Sequence, residues 1–148
     1  MLGGYFGTWA HAYEVWDLPL DPVAMQSAGL TFGCGIVGLL PSGTCGVSAT
    51  AQIMRFMAKE SAAQCGPCLF GLRALGEAAT RVADGAARSD DLERIERLVV
   101  QTAGRGACHH PDGAVQLMAS AVSVFGQEFR HHARTGRCSF ADSRVAVA

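Results

Sequence analysis

From Val47 onward the apolar residues of this chain recur every three or four positions, whereas the residues before that point show only short apolar runs. This change of period limits the fold more than any other feature, because a stripe repeating at 3.6 residues is buried only by a helix packed against other elements. Ile53, Phe56 and Met57 share one face of a first helix that Ser48 would cap. Pro67 suits the first turn of a second, whose stripe is Leu72, Leu75, Ala79 and Val82 and whose end is Gly85. A third begins at "SDDLER", where Asp90 and Glu93 have the spacing of a capping box, and runs through Leu92, Ile95, Leu98, Val99 and Thr102 to Gly104. Pro111 and Asp112 open a fourth, with a stripe of Val115, Met118, Val122, Phe125 and Phe129 that runs out near Gly136. Four such helices with short connections predict an up-down-up-down bundle.

Residues 1–46 read differently. Glycine and turn signals bound the run "GLTFGCGIVGLL" from Gly29 to Leu40, whose β-branched and aromatic content predicts strands. "LGGYFGTW" has the glycines of a phosphate loop but no G-x-G-x-x-G or G-K-[ST], so it reads as a tight strand and turn. Trp9, Tyr13 and Trp16 are expected in the core or at an interface, and His131 and His132 at an exposed helix end. The expected fold class is therefore α+β: a β segment over 1–46, a helical domain over 47–137, and a loose tail over 138–148.

A chain of 148 residues, 49% apolar, can bury a core without staples. Its formal charge of -1 leaves no electrostatic footprint for nucleic acid or anionic lipid. No apolar run approaches the roughly 20 residues that span a bilayer, and no basic residue precedes Arg55 to form a signal peptide's n-region. The expectation is a soluble cytoplasmic protein with no nucleic-acid partner and no direct membrane insertion. In a reducing compartment, six cysteines point to metal or redox chemistry rather than disulfides.

Three of those cysteines have a pattern. Cys65 and Cys68 form a C-x-x-C with Pro67 inside it, between the first and second helices; Cys108 lies in "GRGACHHPDG", between the third and fourth. In an up-down bundle both loops fall at the same end, as a shared metal requires. A third cysteine three positions before Cys65 would complete a C-x-x-C-x-x-C run, but that position is Ala62. Cys45 and Cys34 precede the first helix and Cys138 follows the fourth, so each is expected on the order of 20 Å away. Only local groups then remain for a fourth ligand: His109, His110, Asp112, water or a partner's side chain.

The stretches "KESAAQCGPCLFGL", "GACHHPDGAVQLMASAVSVFGQEF" and "GLTFGCGIVGLLPSGTCGVSATAQIMRFM" together resemble the C-terminal part of the NADH-binding flavoprotein subunit of NADH:quinone oxidoreductase (complex I) and of related NADH-dependent hydrogenase and formate dehydrogenase subunits. The resemblance covers nearly the whole chain. It implies that residues 1–46 are the end of an SLBB domain, a β-grasp-like module, and that the helices carry the run E-S-C-G-x-C-x-P-C-R plus a distant cysteine, which bind one [4Fe-4S] cluster. On that pattern Glu60, Ser61, Cys65, Pro67, Cys68 and Cys108 match, Ala62 replaces the first ligand, and Leu69 replaces the arginine. A methyl group cannot ligate iron, so an incomplete or [3Fe-4S] form is one expectation. The family's FMN- and NADH-binding region has no counterpart here, so the chain resembles the tail or a truncation of a larger enzyme, and whether it acts enzymatically is left open.

The implied function is a relay that takes electrons from a flavin-bearing protein or domain to a ferredoxin-like carrier. The alternative is a structural module whose cysteine site is empty or holds zinc, with three thiolates and His109 or His110.

Overall fold

The computed structural model describes residues 1–140. The predicted tail therefore lies mostly outside the described residues, at 141–148. Among the described residues six α-helices follow in order: α1 (Ala12–Val15), α2 (Pro22–Ser27), α3 (Gly46–Lys59), α4 (Arg73–Ala83), α5 (Asp91–Thr102) and α6 (His110–Thr135). A 3-10 turn (Gly4–Phe6) precedes α1, and a π-turn (Pro67–Leu72) leads directly into α4.

Helices α3 to α6 make the expected bundle, each packed on the next and α6 closing the ring against α3. Most of the predicted stripe residues line its interior: Ile53, Met57, Leu72, Leu75, Ala79, Val82, Val115, Met118 and Phe129 are buried, while Val122 and Phe125 are half-buried and Phe56 is exposed. Gly85 and Gly136 stop α4 and α6 in left-handed conformations, at φ 73 and φ 66. Two expected caps are not made. Cys45, not Ser48, sits at the N-cap of α3, where its sulfur accepts from Ser48 N–H at 3.3 Å. The Asp90 side chain caps nothing, and its neighbour Asp91 turns inward instead, accepting two bonds from Arg81 of α4 and one from Arg88 N–H.

The α+β expectation is contradicted: among the described residues there is no strand. Extended pairing is reduced to single bridges, Leu2 with Thr8 and Leu2 with Val37. The physical reason lies in the glycines of the run read as β. Gly33 and Gly35 adopt φ 49 and φ 76, which turns the chain away from extended geometry every second residue. "LGGYFGTW" likewise folds as the 3-10 turn. What the segment does is pack on the bundle. Trp9 is buried, its backbone N–H bonded to Ser120 Oγ at 2.9 Å and its ring edge-on to Phe125 at 5.2 Å. Beside it, α6 kinks at Phe125 (φ -107, ψ 18). Tyr13 and Trp16 stay exposed.

Candidate metal centre

The π-turn sets the first part of the site. Pro67 opens it without needing an amide donor, and the extra residue per turn carries Cys68 to the interior, where it is 5% exposed. Ahead of it the chain bends through Ala63, a non-glycine residue at φ 51. Cys65 sits half-buried at the lip of this loop, and Cys108 is exposed in the opposing loop between α5 and α6.

Of the three predicted ligands, Cys68 lies near enough to Cys65 and to Cys108 for both sulfurs to act on it. The backbone amides of Ala107 and Cys68 are directed at the Cys65 sulfur and hold its thiol below the ordinary range. Cys68 is pushed up by burial first, and then by the neighbouring Cys65 and Cys108 sulfurs; the Ser61 hydroxyl acts the other way. The two neighbouring thiols are thus shifted in opposite directions by their surroundings. The three sulfurs are not all mutually within 4.8 Å, because the one group of three metal-ligating atoms that close among the described residues lies elsewhere. A single zinc would gather its thiolates to about 3.8 Å from one another, given Zn–S bonds of about 2.3 Å in a tetrahedron. A multinuclear cluster binds each thiolate through a different iron and needs the wider spread.

The local candidates for a fourth ligand are differently placed. His109 is fully exposed, with Nδ1 at 3.3 Å from Asp112 Oδ2. Asp112 Oδ1 accepts from Gly104 N–H at 2.7 Å, so this carboxylate ties the end of α5 to the start of α6. His110 Nε2 lies 2.9 Å from the Met57 carbonyl, and its ring is edge-on to Phe6 at 5.6 Å. Neither histidine closes with two of the cysteines within 4.8 Å among the described residues.

The remaining cysteines depart from expectation in one respect. Cys45 and Cys138 are indeed remote, since the 14 residues of α3 place Cys45 about 21 Å from the Cys65 loop. They are not scattered, however: they converge with His132. The pair predicted to be an exposed helix end is split, because His132 is 2% exposed and bonded to Cys45, with Sγ to Nε2 at 3.4 Å. A signal for this was present in the stripe of α6, where His132 continues the spacing of Val122, Phe125 and Phe129.

Residues 48–132 match the family described as the NADH-ubiquinone oxidoreductase-F iron-sulfur binding region. Among curated relatives, the chain is similar to the F subunit of NADH-quinone oxidoreductase from Mycobacterium bovis, at 27% identity over 84% of this chain and 28% of that protein. The corresponding protein of Buchnera aphidicola subsp. Schizaphis graminum is 30% identical over 76% of this chain and 26% of its own length. That of Escherichia coli K12 is likewise 30% identical, over 76% and 26%. The chain therefore spans little more than a quarter of the relatives it matches. No helix among the described residues is long and apolar enough to cross a membrane.

Proposed function

Because the chain belongs to the NADH-ubiquinone oxidoreductase-F iron-sulfur binding family, and its cofactor is accordingly an iron–sulfur cluster, we propose that Cys65, Cys68 and Cys108 are the thiolates that hold it. What supports this assignment is that the two loops meet: the Ala107 amide is directed at Cys65, and Cys68 feels both the Cys65 and the Cys108 sulfurs. Bound there, the cluster supplies one-electron transfer.

The chain's own residues do the rest. The Ala107 and Cys68 amides favour the thiolate of Cys65, whereas burial works against that of Cys68. Asp112 fixes the two ends that carry Cys108 between them. Position 62 offers only a methyl group, so one corner of the cluster has no protein thiolate. His110 has its Nε2 committed to Met57, and His109 reaches that corner only by leaving Asp112. The electron source is a flavin-bearing protein or domain, reduced by NADH as in the enzymes this chain resembles, and the acceptor is a ferredoxin-like carrier in the cytoplasm. Alone, the chain neither binds FMN nor oxidises NADH.

Iron and acid-labile sulfide are to be measured after anaerobic reconstitution of wild type and of Cys65→Ser, Cys68→Ser and Cys108→Ser. Wild type is expected to hold roughly three to four irons per chain with matching sulfide, and each variant to lose them. Equal iron in all four proteins, or zinc in place of iron, overturns the assignment.

A further inference from the structure

At the other end of the bundle, Cys45, His132 and Cys138 bring one donor atom each within 4.8 Å of one another. Each comes from a different place in the fold. Cys45 caps α3, His132 projects inward from the last turns of α6, and Cys138 follows α6 after Gly136 has turned the chain. That return is fixed by a backbone crossing: a Cβ at Gly85 would meet the Gly136 carbonyl at 2.3 Å, so the ends of α4 and α6 touch only as glycines. Two buried atoms here lack partners. His132 Nδ1 is buried without a hydrogen bond, although the Val82 and Ala83 carbonyls lie near its ring. One turn before His132, Glu128 Oε2 is buried with no partner, and this carboxylate is close enough to Cys138 to act on it electrostatically.

We propose that Cys45, His132 and Cys138 are three protein ligands of a tetrahedral zinc(II) site separate from the cluster site, with water in the fourth position. Two thiolates and one imidazole are donors that zinc takes together, leaving the fourth tetrahedral position for water. The spacing agrees: Zn–S of about 2.3 Å and Zn–N of about 2.0–2.1 Å in a tetrahedron put sulfur and nitrogen about 3.6 Å apart, against the 3.4 Å between Cys45 Sγ and His132 Nε2. Here three donors already stand within 4.8 Å of one another, as one ion requires. Backbone carbonyls beside the far side of the imidazole are the usual outer partners of a ligating histidine. Binding would tie the start of α3, the end of α6 and the segment beyond it into one unit, as a clasp on the end of the bundle away from the electron path.

The test is independent of the cluster. The full chain carrying Cys65→Ser, Cys68→Ser and Cys108→Ser is reduced and titrated with cobalt(II), then with zinc(II) against a chromophoric chelator. One cobalt per chain with thiolate charge-transfer and intense tetrahedral ligand-field bands is expected, displaced by one zinc. Adding Cys138→Ser should weaken zinc by on the order of 100-fold or more. Adding Cys45→Ser should do the same while keeping the cap, since serine also accepts from the Ser48 amide. If the triple variant does not fold, zinc is instead counted in cluster-loaded wild type beside its Cys138→Ser form. Absence of stoichiometric zinc in the reduced protein, undiminished binding in Cys138→Ser, or a Cys45–Cys138 disulfide with no zinc affinity after reduction would each overturn the proposal.

Discussion

Ala63 holds a backbone conformation that residues other than glycine seldom adopt. It stands where the E-S-C-G-x-C-x-P-C-R run has its glycine, and it takes the left-handed conformation that a glycine takes freely, at φ 51. The loop follows this path with Ala62 and Ala63 where that run has a cysteine and a glycine. An L-residue pays about 1–2 kcal/mol in this region, and glycine returns about 0.4–1 kcal/mol of that through its freer unfolded chain. Ala63→Gly is therefore expected to stabilise the protein by about 0.5–1 kcal/mol in urea denaturation. No gain would mean that the bend is not strained. The pattern of Cys65, Cys68 and Cys108 was readable because metal ligands on short loops leave a spacing. Cys45 and His132 left no ligand spacing, being 87 positions apart, and only the burial of His132 was readable from the stripe of α6.

Between elements, Asp91 and Gly71 carry most of the testable detail. Asp91 is fully buried between α4 and α5, and the Arg81 guanidinium holds its carboxyl well below the usual range, against the cost of burial and with help from the Arg88 amide. A depressed folded pKa means that the stability it contributes is fully present above the unfolded value of about 3.9 and is lost as pH falls through the lower folded one. Asp91→Asn should thus cost about 2–3 kcal/mol at neutral pH, and the gap from wild type should narrow below pH 4 in acid titrations followed by circular dichroism. A gap that stays constant down to pH 2 would show that the carboxylate charge is not what matters. Gly71 lies where the π-turn meets α5, and a methyl group there would come within 2.6 Å of Thr102 Oγ1. Gly71→Ala is expected to cost about 1–3 kcal/mol and to lower cluster loading together with it, because Cys68 rides on the same turn; normal stability and loading would contradict this close packing.

The elements themselves divide by how local their causes are. The helices α3 to α6 were legible from period and terminal glycines, since a stripe such as Leu72, Leu75, Ala79 and Val82 encodes its own burial. The inward turn of Asp91 was not, because a capping box at Asp90 and Glu93 has the same local pattern and only Arg81 on another helix decides between them. The β reading of Gly29 to Leu40 failed for a related reason: short β-branched runs resemble strands until partners are counted, and here Leu2 supplies single bridges only.

For the whole molecule, two ends of one bundle carry two different arrangements of thiols. Helical packing between them is continuous, from Met57 and Leu72 near the cluster loops to Val82 and Phe129 toward the other end. A cluster that binds only the folded chain adds its binding energy to folding, so chelation of iron should lower the melting temperature of loaded protein to that of the reconstitution-deficient Cys68→Ser form. Identical melting with and without iron would detach the cluster from the fold. The central claim is narrower: three thiolates hold an iron–sulfur cluster whose remaining corner faces position 62. Electron paramagnetic resonance of air-exposed wild type beside Ala62→Cys tests it directly, with His109→Ala and His110→Ala as companions. The account predicts that wild type loses its unprotected iron and shows the signal of an oxidised [3Fe-4S] cluster, while Ala62→Cys keeps four irons and remains silent until reduced. Identical spectra and identical stability in air for the two proteins would contradict it.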